Sequence, residues 1–197
     1  MPLRLKRSQA EVVTTRQSDN VAGGDIVGGH KVTTNLNIGS PSPTGALRRL
    51  LEKLQHEQAT DTRARKIIDE LKRFDEPQDP VPLGLQQKLA DGKRDDLVEF
   101  ATKTKEQFVK KLAQNTFFES AQEIHALFLS RIYCIFNTQV LPQIKEGVDR
   151  QVIDALIRAH IIDPIVAELQ ETPFRYYDEH VHGMLYYLTG NCYVKWN

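Results

Sequence analysis

Apolar residues recur at helical spacing along most of the chain beyond residue 44. Leu47, Leu50, Leu51 and Leu54 form one stripe, with Arg48, Arg49, Glu52 and Lys53 on the opposite side. A second stripe follows Thr60-Asp61 and comprises Ala64, Ile67, Ile68, Leu71 and Phe74. Residues 44–76 are therefore expected to form a helical hairpin, with Thr44 placed to cap its first helix. Pro77, Pro80 and Pro82 then remove backbone donors and bias their neighbours to extended shapes, so a domain seam is expected there. A short helix is predicted from Leu83 to Ala90, ending at Asp91-Gly92. Another starts at Asp95 and carries Leu97, Phe100, Ala101, Phe108 and Leu112. The stretch from Phe117 to Ile144 is apolar on more than one face and is expected to be the central helix. His125 reads as a satisfied core histidine within it. Pro142 should kink or end the last turn, and Gly147 should stop it. Asp149 caps a further stripe of Val152, Ile153, Leu156, Ile157 and Ile161, and Pro164 should restart or kink that helix.

The two ends of the chain depart from this pattern. Residues 174–197 hold five of the six tyrosines and the only tryptophan. A helix from His180 to Leu188 is predicted, capped by Asp178 and stopped by a left-handed turn at Gly190-Asn191. Cys192 to Trp196 then alternates in strand fashion. Cys192, Val194 and Trp196 face one way, Tyr193 and Lys195 the other. So apolar a tail should dock on the body of the protein or on a partner. Residues 1–43 read as a flexible N-terminus. Within it, residues 20–38 alternate glycine pairs with β-prone couples. This piece is too small to be stable alone. It is either a linker or a set of strands that pair between chains through Ile26, Val27, Val32 and Leu36. The expected fold is mainly α: a bundle of about five to six helices, a short β-prone N-terminal segment and an aromatic helix-strand tail. The division is 1–43, 44–76 and 83–197.

Charge changes the picture by exclusion. The chain of 197 residues carries 26 basic and 26 acidic side chains. That balance argues against a dedicated nucleic-acid surface and gives little long-range steering. Lys103, Lys105, Lys110 and Lys111 read as a solvated helix face, with a DNA-binding module as the rival. No apolar run approaches the roughly 18 residues of a membrane span, and a cytoplasmic protein with no membrane partner is expected. Cys134 and Cys192 read as buried free thiols. The best enzymatic alternative is a small metal-dependent hydrolase at His180 and His182, helped by Asp178, Glu179 and Cys192. Yet two residues of an i, i+2 pair lie about 200° apart on a helix. No paired-carboxylate, activated-thiol or phosphate-loop constellation accompanies them. A protein that is not an enzyme, with no cofactor and no resident metal, is expected.

The tail also carries a resemblance. Gly183-Met-Leu-Tyr-Tyr-Leu-Thr-Gly-Asn-Cys-Tyr-Val-Lys-Trp196 resembles the closing pattern GM-x-Y-x-LTGNC-x-x-KW of the C-terminal domain of ABC-three-component systems. These bacterial conflict systems include the Lamassu-type anti-phage systems. The helical region from Ala113 to Leu169 fits the same domain, and Tyr193 stands where the family commonly has His. GDIVGGHKVTTN is similar to a GDxVGGDK-type β segment of other conflict proteins, with His30 in place of Asp. The resemblance implies a module that docks an effector onto an SMC-like ABC ATPase and its companion subunit. No effector domain is evident here. The expectation is therefore a homo-oligomerising adaptor, with an effector supplied in trans. Its partner-binding residues would be Tyr186, Tyr187, Asn191, Tyr193, Lys195 and Trp196.

Overall fold

A computed structural model describes residues 45–79, 83–170 and 172–197. The β-prone segment with Ile26, Val27, Val32 and Leu36, and the cap expected at Thr44, lie outside the described residues. Helices follow the apolar stripes in order. They are α1 (Gly45–Ala59), α2 (Asp69–Lys72) with a following 3-10 turn (Arg73–Asp75), α3 (Leu85–Asp91) and α4 (Val98–Gln114). After them come α5 (Glu119–Ile135), α6 (Leu141–Lys145), α7 (Arg150–Ile157), α8 (Asp163–Gln170) and α9 (Asp178–Gly190). The described chain is mainly α, with no strand among the described residues.

Proline sits in two long rods without breaking them. α5 runs into α6 through a π turn, Phe136–Val140, and α7 into α8 through another, Arg158–Ile162. Pro142 and Pro164 follow these turns. A proline clashes with the carbonyl four residues back, here Thr138 and His160, and both of those lie inside the wider π turns. Each rod therefore absorbs its proline.

The central helix is α5, as its apolar surface predicts. Ile124, Phe128, Leu129 and Ile132 are wholly buried. α1 and α2 pack on one side of it, and α9 on another. The dominant helix pair is α4 with α9. It sets Gly183 against Thr104 and Phe108, and the Phe108 ring against Tyr187. Two helix starts are capped by carboxylates. The buried Glu57 carboxylate accepts from the Ser120 amide at 3.2 Å and its hydroxyl at 2.6 Å, capping the first turn of α5 from α1. Asp149 accepts from Gln151 N–H at 2.8 Å, as expected for α7.

The hairpin takes a different form from the one its stripe predicts. Only one helical turn forms at Asp69, and Ala64 and Ile67 are not helical. Their neighbourhood finds other hydrogen-bond partners. Ala64 N–H donates to Phe117 O at 2.8 Å, and Ile68 N–H donates to the Gln122 side-chain oxygen at 2.7 Å. Gln122 Nε2 in turn donates to Lys66 O at 3.2 Å. Asp61 adds a left-handed backbone, φ 49°. Contacts with the start of α5 thus replace the ladder a second helix would have made. Cys134 is also corrected. It is exposed, because α5 leaves one stripe, Glu123, Leu127, Ser130 and Cys134, uncovered by its neighbours.

His125 is the satisfied core histidine its setting suggests. Nδ1 lies 2.6 Å from Ala121 O and Nε2 2.6 Å from the Tyr176 hydroxyl. A neutral ring that donates at Nδ1 and accepts at Nε2 satisfies both atoms. Burial lowers its pKa from the usual 6.5 to about 4. Between those values the unfolded chain binds a proton that the folded chain does not. Stability is therefore full above about pH 6.5 and falls as the pH drops toward 4. Denaturant melts are expected to show a loss of about 2 kcal/mol from pH 7 to 5. His125→Gln, compared with itself at the same two values, should lose that much less.

Candidate interaction surface

α9 opens without the expected cap. Asp178 is its first residue and pairs with Arg158 at 3.0 Å, while the His180 ring accepts from Tyr177 N–H at 3.1 Å. The helix ends in a Schellman turn. Cys192 N–H donates to Thr189 O at 3.2 Å and Tyr193 N–H to Leu188 O at 2.9 Å. The left-handed residue is Cys192, φ 67°, whereas Asn191 has φ −93°, so the stop falls later than Gly190-Asn191. Beyond it the chain is extended but pairs with no strand. The predicted alternation of faces survives this correction. Cys192, Val194 and Trp196 are buried, and Lys195 is exposed. Packing against the helices, not a β ladder, sets those faces.

Trp196 closes the core. Its Nε1–H donates to the Thr189 hydroxyl at 3.2 Å, and its ring meets Phe136 edge-on at 5.0 Å. The Arg94 guanidinium lies 4.5 Å above it and pairs with Asp154. Gly92 leaves the room: a Cβ there would stand 2.4 Å from Trp196 Cβ. Tyr186 and Tyr187 are also covered by the chain's own helices, being 4% and 5% exposed. Burial pushes the Tyr186 hydroxyl up to about 12. Tyr187 is raised further, first by burial and then by the Asp75 carboxylate that accepts its proton. Tyr186, Tyr187 and Trp196, expected as partner-contact residues, thus lie in the core of this chain.

The remaining tail residues of that set hold a segment of the same chain. Asn191 Nδ2 donates to Phe74 O at 2.7 Å, and its own carbonyl accepts from Gln78 N–H at 3.3 Å. The Tyr193 hydroxyl donates to Arg73 O and accepts from Gln78 Nε2. Lys195 pairs with Asp79 at 3.3 Å. Residues 73–79 are thus fastened to the tail, and the proline-marked seam is no gap on that side. What reaches solvent is an edge: half-buried Tyr193, exposed Lys195, and Tyr133, whose ring stands edge-on to Tyr193 at 5.7 Å.

Lys88, Arg94 and Glu57 were not singled out by sequence. Lys88 is 6% exposed, and its ammonium donates to Thr189 O at 2.6 Å and Gly190 O at 3.2 Å, beside Cys192 Sγ at 2.8 Å. A cation at the C-terminus of α9 satisfies carbonyls that the helix leaves open. Its only sequence signal is a lysine on the same face as Leu85 and Leu89. Lys88→Met is expected to cost about 1–3 kcal/mol, because Gly190 O loses this donor and Thr189 O keeps only the Cys192 N–H. A thermal melt checks this, with Lys93→Met as a surface control.

The rival chemistries are not brought together. His180 is buried against Tyr176 and Tyr177, whereas the His182 ring stands edge-on to exposed Phe100 and its Nδ1–H donates to Asp178 O, 2.9 Å away. Among the described residues no group of three or more His, Cys, Asp or Glu could hold a metal ion. The lysines of α4 do not form one track. Lys103 and Lys110 are exposed, Lys105 lies half-buried at the end of α9, and Lys111 reaches Phe174 O at 3.4 Å. No described helix is long and apolar enough to cross a membrane.

A family model of the C-terminal domain 9 of the ABC-three component (ABC-3C) systems matches residues 84–196. The match runs from the start of α3 to Trp196. It reaches upstream of Ala113 and stops short of the clamped segment 73–79. Comparison with curated proteins and with solved structures finds no match. The shared pattern is therefore the element that closes the helical body, and the chain belongs to the C-terminal domain 9 family of the ABC-three component systems.

Proposed function

We propose that this component of an ABC-three-component system is a non-catalytic adaptor of the Lamassu-like kind, working in the cytoplasm. Its C-terminal domain docks onto an SMC-like ABC ATPase and companion subunit, and residues 20–38 drive self-association. An effector acts in trans. The observation that carries this reading is the family match over the whole of α3 to α9. The tail geometry refines it. With Tyr186, Tyr187 and Trp196 in the core, the docking edge is Tyr193, Lys195 and Tyr133, stiffened from behind by residues 73–79. An aromatic edge with one cation and little freedom loses little entropy on binding.

The test is co-expression with the SMC-like ABC ATPase of the same three-component system. The full chain should co-purify with the ATPase complex. Tyr133→Ala/Lys195→Glu should remove that association while its melting temperature stays within a few degrees. A folded, monomeric wild-type chain that ignores the ATPase contradicts the proposal.

A further inference from the structure

α1, α2 and α5 leave an open groove of about 550 Å³, which adjoins the tail's docking edge at Arg73, whose carbonyl accepts from the Tyr193 hydroxyl. Its floor is the uncovered stripe of α5, from Glu119 to Ser130. One wall is α1 at Leu50, and the other is the turn from Ile68 to Arg73. The second hairpin helix is cut to one turn, so only the short stretch from Ile68 to Arg73 flanks the floor opposite α1. Leu50, Ile68 and Leu127 are half-buried and pack on the core from its edge, giving an apolar floor.

The rim is acidic. Glu70, Glu119 and Glu123 line it against a single cation, Arg73. Arg73 is already engaged, donating to the Ser130 hydroxyl at 2.7 Å and lying over Phe74. Lys53 sits beside the groove and is outnumbered: Glu123 at 2.7 Å, Glu119 at 3.5 Å and Glu57 at 3.8 Å surround it. Glu70 has no cationic partner among the described residues. From Glu119 to Ser130 the floor spans three helical turns, about 16 Å.

We propose that this groove docks a basic amphipathic helix of a partner protein, laying its apolar stripe on Leu50, Ile68 and Leu127 and its lysines or arginines against Glu70, Glu119 and Glu123. Shape suits a helix, because the groove floor runs along α5 for about three helical turns. Charge selects a basic one. The inference does not depend on which protein carries the helix, nor on the ATPase reading.

The experiment uses the full-length chain and two labelled helical peptides of about four turns, one built of leucine and lysine, the other of leucine and glutamate. Fluorescence anisotropy is read at two salt concentrations. The basic peptide is expected to bind at least about tenfold tighter than the acidic one, and less tightly at high salt. Glu70→Lys/Glu119→Lys, both on the surface, should reverse that preference. Leu127→Ser should weaken the basic peptide about tenfold. Equal binding of the two peptides, no binding, or variants that bind like the wild type overturn the proposal. So does self-association of the free chain, measured by sedimentation, that Glu70→Lys/Glu119→Lys abolishes, because the groove would then hold a second copy.

Discussion

Gly183→Val is expected to destabilise the protein by about 3 kcal/mol or more, enough to leave a large unfolded fraction in a domain of ordinary stability. The reason is the crossing of α4 and α9. A Cβ at position 183 would lie 2.3 Å from Thr104 O and 2.7 Å from Phe108 Cβ. Thr104 O is backbone, so relief requires the two helices to separate along their whole contact. That would open the packing of Phe108 against Tyr187, whose rings now meet edge-on at 5.4 Å. Alanine should already be costly, although it gains about 1 kcal/mol of helix propensity over glycine. Gly190→Ala gives the contrast. There the near atom is Lys105 Nζ at 2.5 Å, the movable end of a long side chain. Denaturant melts of the three variants should rank Gly183→Val lowest, Gly183→Ala next and Gly190→Ala closest to the wild type.

Trp196→Ala is expected to cost about 3–5 kcal/mol. Its ring is 3% exposed and fills the space among Gly92, Phe136 and Tyr186. Removing it leaves a cavity that the surrounding helices cannot fill, since Gly92 contributes no side chain. It also strips the aromatic face from Arg94, a cation only 4% exposed, and leaves it with Asp154 alone. Trp196→Phe keeps part of the ring but loses the bond to Thr189, and should fall between alanine and the wild type. The same substitutions should abolish co-purification with the ATPase only in step with unfolding. Tyr133→Ala/Lys195→Glu should abolish it without unfolding, which separates the lock from the docking edge.

Much of the architecture was legible because it rests on local periodicity. The stripes of α1, α4, α5 and α7 name most of their buried faces, although Phe100 and Val152 stand exposed, and the apolar breadth of α5 places it at the centre. The in-and-out order of Cys192 to Trp196 was also legible, since alternation follows from any extended backbone. What failed depended on distant partners. Ala64, Ile67 and Ile68 carry a helical stripe, but Phe117 and Gln122 take the hydrogen bonds of that stretch. The aromatic tail signalled docking without saying on what, and Tyr186, Tyr187 and Trp196 dock on their own chain. Lys88 and Arg94 were illegible for the same reason. A buried cation is recognisable only once the carbonyls of Thr189 and Gly190, or the ring of Trp196, stand beside it. Gly183 was the one usable hint left unread: a glycine inside an apolar helix costs about 1 kcal/mol and usually marks a close approach.

The most direct measurement of the central claim is amide hydrogen exchange on the full chain, alone and mixed with the SMC-like ABC ATPase of the same system. The account predicts that α9 and residues 192–196 are already strongly protected in the free chain. Added ATPase should then slow exchange further only around Tyr133, Tyr193 and Lys195. A free chain whose last residues exchange as fast as an unstructured peptide, or an ATPase mixture in which no amide slows, would contradict it.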